Sequence, residues 1–216
     1  MHIEPGMLVQ AKIVVANVAA SGILLAYAKD FIKQPEDIFR AVLSALFFTF
    51  FMQSFHMPVG PSELHFVGAI FIYLTLGFIP AMFGFSVGLL FQGLMFNPMD
   101  ISHLAVNSLS LIVPLIAVHF TLGRKIRAMG TDVSWQKILK IDAMYYTGVT
   151  FMVGFWLTYS ELTTPFSAWA AFASSYLVIV AIEPTLTFAM LRFLKIHQDK
   201  KIISTCFSIN GLKLVK

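Results

Sequence analysis

Charge is what this chain has least of. Asp, Glu, Lys and Arg make up 12% of its 216 residues, about half the share a soluble domain carries. With a mean hydropathy of +0.80, that scarcity excludes a water-soluble fold, because a core of this size cannot hide so many Leu, Ile, Val and Phe. Cysteine is nearly absent: Cys206 stands alone, so no internal disulfide can form. No Gly-rich loop ending in Lys and Ser or Thr occurs, and with it goes any capacity to use ATP unaided. No basic stretch precedes the first apolar run, and Glu4 sits where a secretory signal would be positive. The short alternating segments of a transmembrane barrel are missing too. Nothing points to nucleic acid as a partner, to an internal repeat or to a second folded domain.

What the chain does have is apolar runs of membrane length, roughly 20 residues each. We read seven, over 8–28, 38–55, 66–78, 79–96, 104–122, 138–159 and 168–194. The third and fourth form one uncharged run, 66–96, which as a single helix would be about 46 Å long. Gly77, Pro80, Gly84 and Gly88 offer places to break it. Basic residues favour the break. Every Lys and Arg except Lys12 falls in 29–40, 123–140 or the segment from 192 onward. Seven spans with the N-terminus outside put all three segments in the cytoplasm, as positive-inside bias requires. The expected fold class is therefore all-α: a polytopic membrane protein of seven transmembrane helices, N-terminus outside and C-terminus cytoplasmic. Residues 1–194 are expected to form one transmembrane domain and 195–216 a basic cytoplasmic tail, placed to meet anionic lipid.

The chemistry-bearing residues are few. Met1-His2 can chelate a metal by itself: the α-amine, the His2 amide nitrogen and the His2 ring close two fused rings around one ion. Three coplanar nitrogens suit Ni(II) or Cu(II), and not Ca, Mg or tetrahedral Zn. The Gly- and Pro-containing loop 54–65 carries His56, Glu63 and His65. Irregular backbone of this kind lines a cavity when it dips into a membrane, and Glu63 and His65 are close enough for one to ligate while the other orients it. Asn107 and Glu183 interrupt apolar runs, where an ionisable or polar group is costly and wants a partner. An interhelical hydrogen bond is the ordinary role for Asn107. Ala41 and Ala45, like Ala16 and Ala20, have the spacing that lets two helices approach closely, either inside the subunit or with a partner. His103 and His119, about 24 Å apart along one helix, raise an alternative, a haem-binding membrane oxidoreductase subunit, although only His56 or His65 lies at a depth to pair with His103. An intramembrane protease would need a nucleophile and base on facing helices, and none stands out.

Taken in order, Met1-His2-Ile3, the His-containing loop, Leu89-Leu90-Phe91-Gln92-Gly93, Asn107 and Ile182-Glu183 resemble the CbiM/NikM family, the substrate-specific membrane subunits of cobalt/nickel energy-coupling-factor ABC transporters, in a divergent branch. The resemblance spans most of 1–190. It implies a seven-helix bundle with the N-terminus tucked into its centre, and a planar four-nitrogen site: the Met1 amine, the His2 amide and ring, and a second His. Counting back from Leu89 places that His on His65, with Gly68-Ala69-Ile70 following; His56 is the rival. The family's usual His-Pro-Thr-Gly loop is absent here. The resemblance further implies no permanently bound cofactor, Co2+ or Ni2+ as transported substrate, Glu63, Asn107 and Glu183 supporting the site or pathway, and Ala41 and Ala45 contacting a partner helix. The partners implied are a transmembrane coupling subunit and cytoplasmic ABC ATPases, in a bacterial or archaeal cell membrane. The chain itself is expected not to be an enzyme.

Overall fold

The computed structural model describes residues 3, 6–60, 62–128, 132–158 and 165–215. The chain is a helical bundle. Helices α1 (Gln10–Ile32) and α2 (Pro35–Ser54) are followed by a hairpin of β1 (His56–Val59) and β2 (Ser62–His65). Then come α3 (Ala69–Leu76), α4 (Phe78–Met95), a tight turn over Pro98–His103 and α5 (Leu104–Val118), which runs through a widened turn at His119–Gly123 into α6 (Arg124–Ala128). The short strand β3 (Asp132–Val133), α7 (Trp135–Leu157), α8 (Phe166–Ile196), α9 (Lys201–Cys206) and β4 (Lys213–Leu214) complete it. Five helical stretches among the described residues are long and apolar enough to cross a membrane: Gln10–Ile32, Pro35–Ser54, Phe78–Met95, Pro98–Arg127 and Phe166–Ile196. The fold class is thus that of a polytopic α-helical membrane protein.

The apolar run 66–96 does break, at Gly77. Its φ of 119° lies in a region that favours glycine, and it separates α3 from α4. The expected helix over 66–78 is shorter than its apolar length because its first residues are extended instead. Phe66 donates its N–H to the carbonyl of Phe55 (3.1 Å), continuing the β1–β2 pairing, and Gly68 turns into α3 with φ 64°. A Cβ on Gly68 would run into the Phe51 ring. All eight residues of α3 are buried, with α2, α4, α7 and α8 packed around it. This helix is the axis of the molecule.

Two further features set the end of α3 away from the hairpin. Arg127 closes this end of α3: its guanidinium donates to Leu74 O (2.8 Å) and to Tyr73 O (2.6 Å), which also accepts the Gly77 N–H (3.2 Å), and the Ser208 amide donates to Thr75 O (2.7 Å). The segment after residue 195 is therefore no loose appendage. Ile209 and Leu212 are buried, β4 pairs in parallel with β3, and Phe207 meets Phe47. Apolar residues at every few positions of a basic segment account for this: they dock while the lysines stay outside.

Candidate metal-binding site

Ile3 is drawn fully into the bundle, with none of its surface exposed. Its N–H donates to the side-chain oxygen of Asn107 (3.2 Å). Its carbonyl accepts from Nδ1 of His103 (3.0 Å). It also forms an antiparallel bridge to Ser62 on β2. An extended residue inside an apolar bundle must have its backbone groups satisfied, and here α5 and β2 do that. His103 and Asn107 are four residues apart, so they share one helical face and hold the two sides of one peptide segment. Met1 and His2 lie outside the described residues.

The hairpin register sets His56 opposite His65 and Pro58 opposite Glu63. The two histidine rings stack with centroids 5.9 Å apart, yet their surroundings differ. His65 is 2% exposed, whereas His56 is exposed. Nε2 of His65 donates to the Glu63 carboxylate (2.9 Å). With the proton on Nε2, the lone pair of the neutral ring sits on Nδ1, the arrangement a carboxylate-supported metal-ligating histidine uses. Glu63 is partly exposed, so its charge keeps contact with water. Among the described residues no three His, Cys, Asp or Glu side chains converge as a metal cluster.

The other sequence candidates are dispersed. Glu183 lies wholly buried on α8, receiving a short hydrogen bond from the Tyr146 hydroxyl, beside the backbone N–H groups of Gly68 and Ile70 at the start of α3. Ala41 and Ala45 are buried against α4: Cβ atoms added to Gly84 and Gly88 would come within 3.0 Å and 3.2 Å of their carbonyls. Their small size thus serves packing inside the subunit, the first of the two uses their spacing allows, and an outward partner contact is not where they point. His119 accepts from the Tyr73 hydroxyl (3.0 Å) and stacks on Phe78, and His197 donates to its own helix. Sequence reasoning named His103 but gave it no part beside Asn107, and the spacing of the two was the available signal. It also passed over Asp142, Tyr145, Tyr146 and Tyr176, which lie within the apolar runs 138–159 and 168–194.

The model of the family described as the cobalt uptake substrate-specific transmembrane region, CbiM, matches residues 2–200. The chain belongs to the CbiM family. A CbiM-family protein is a membrane component of metal transport, and this one shares its fold with solved transporters. A structure described as a transition metal transporter aligns with a TM-score of 0.75 at 21% identity, over 94% of this chain and 96% of that one. Another, a truncated transition metal transporter, aligns with a TM-score of 0.73 at 22% identity, over 91% and 99%. At these identities the likeness is one of fold. Comparison with curated proteins by sequence gives no match.

Proposed function

We propose that the chain is the substrate-binding membrane subunit for uptake of Co2+ or Ni2+, energised by a separate transmembrane coupling subunit and cytoplasmic ABC ATPases in the cell membrane of a bacterium or archaeon. The observation that carries this reading is the clasp on Ile3, held by Asn107, His103 and Ser62 at the centre of the bundle. Chain length alone keeps Met1 and His2 within about 8 Å of Ile3. Ser62 lies on the strand that carries His65, so the terminal dipeptide and a carboxylate-oriented imidazole share one region. The Met1 amine, the His2 amide and ring and His65 then make four nitrogens. Such a set rejects Mg2+ and Ca2+, which prefer oxygen. His56, exposed on the facing strand, is the lesser candidate. Membership in a metal-uptake family displaces the haem alternative.

Seven crossings fit this site. Strand β2 adds about 13 Å to the roughly 12 Å of α3, so together they complete a span that α3 alone cannot. The inner end of α3 meets Arg127 and Ser208, both next to the basic segments that belong in the cytoplasm. Cells producing the chain with its coupling subunit and ATPases should accumulate radioactive Co2+ or Ni2+, and an ATPase lacking its phosphate-binding lysine should stop this. In intact cells, Met57→Cys should react with an impermeant thiol reagent and Arg124→Cys should not. Uptake indifferent to the ATPase, or reaction of both cysteines from outside, overturns the reading.

A further inference from the structure

Beneath the outer site the bundle buries a second polar cluster that metal capture at the N-terminus does not use. Asp142 on α7 and Glu183 on α8 are both 0% exposed, and their carboxyl groups lie within hydrogen-bonding reach of each other. Neither oxygen of Asp142 receives a hydrogen bond from the protein, while Glu183 accepts from the Tyr146 hydroxyl and lies beside the N–H groups of Gly68 and Ile70. Neither carboxyl forms an ion pair with a Lys, Arg or His among the described residues. The fully buried Tyr145 hydroxyl is also without a partner, and it stands within electrostatic reach of both carboxyls. Two carboxylates in contact at membrane depth, with no counter-charge, are not stable as they stand. Either a shared proton or a cation must sit with them.

Position says what. Tyr176 lies beside the backbone of His65 and stacks on Tyr146 at 5.0 Å. Tyr146 meets Tyr145 edge-on at 5.2 Å and donates to Glu183. A ladder of aromatic hydroxyls thus leads from His65 down to the carboxyl pair. Asp142 is seven residues, about 10 Å, from the α7 end that adjoins the basic inner segment. We propose that Asp142 and Glu183, with the Tyr145 and Tyr146 hydroxyls, form a second, oxygen-donor site that holds the transported divalent cation between the nitrogen site and the cytoplasm. This rests on the uptake reading given above. Two negative charges neutralise one divalent ion. Oxygen donors hold Co2+ or Ni2+ less tightly than nitrogen donors do, which is the property a site on the exit route needs.

The test uses the purified full-length chain and Co2+ as probe, followed by equilibrium binding and visible spectroscopy. A second, weaker Co2+ with the spectrum of an oxygen-ligated ion is expected. It should survive His65→Ala. Asp142→Asn and Glu183→Gln should weaken it by about 10-fold or more while leaving tight binding intact, and should stop uptake. Tyr145→Phe removes a single hydroxyl without changing the packing and should weaken the second ion alone, which keeps the test decisive where a carboxyl variant does not fold. Absence of a second ion, or its indifference to all three substitutions, overturns the proposal. So does an infrared band of a protonated carboxyl that persists at saturating Co2+, since a proton then holds the pair. Absence of tight Co2+ binding in the unsubstituted chain, with the weak ion present, would instead refute the nitrogen site.

Discussion

The polar region around Ile3 and the one around Asp142 and Glu183 are built on opposite principles. Around Ile3 the backbone N–H and the carbonyl each have a named side-chain partner, and His65 is oriented by Glu63. Around Asp142 and Glu183, both Asp142 oxygens and a tyrosine hydroxyl are buried without a hydrogen bond from the protein. Satisfied groups fix a geometry; unsatisfied ones wait for a ligand. On the two proposals made above, the difference separates a region that positions a chelate from one that exchanges its occupant. It also says which substitutions should act through affinity and which through passage.

The comparison is broken most severely at the nitrogen ligands. His2→Ala and His65→Ala should each weaken Co2+ or Ni2+ binding by more than about 100-fold, beyond what loss of a supporting residue costs, while His197→Ala, on a half-buried residue bonded to its own helix, should change nothing. Calorimetric titration at fixed pH reads this directly. Because an amide ligand must give up its proton, the affinity of the native chain should also rise with pH, and His2→Ala should flatten that rise.

A step smaller are the residues that hold the segment in place. Asn107→Ala and His103→Ala should each cost about 10- to 100-fold in metal affinity without removing a ligand. If either leaves binding at the native level, the clasp on Ile3 has no part in positioning the chelate. Gly84→Leu should act on stability and not on affinity. A Cβ there would run into Ser44 Cβ and come within 3.0 Å of Ala41 O, so overpacking should cost about 3 kcal/mol or more, read as a lowered Tm in detergent with metal binding per folded molecule unchanged. Smallest of all is His56→Ala. Its ring is exposed beside His65, and a loss of no more than a few-fold is expected. A loss as large as that of His65→Ala would exchange the two histidines.

Much of this was readable in advance where one residue type has one physical meaning. The basic residues outside α1 sort the loops, and the break in 66–96 falls at a glycine named from the sequence, since only glycine readily takes the φ of 119° found there. The extended stretch before α3 was not readable, because apolar residues 66–68 look the same in a buried strand and in a helix. Ala41 and Ala45 announced close packing but not with whom; the answer depended on Gly84 and Gly88 arriving opposite them from α4. Asp142 was missed because it sits near a basic loop in sequence and next to Glu183 only in space. Tertiary neighbours, and not spacing, made it part of a pair.

The central claim is that the amino terminus itself is a ligand, and one measurement reaches it without touching any side chain. A single residue added before Met1 leaves His2, His65, Asn107 and His103 in the chain but destroys the fused chelate rings. Titrated with Co2+ or Ni2+ under the same conditions, this extended chain should lose tight binding as completely as His2→Ala does. If it binds as well as the native chain, the amine is not a ligand, and the nitrogen site proposed for this protein is wrong.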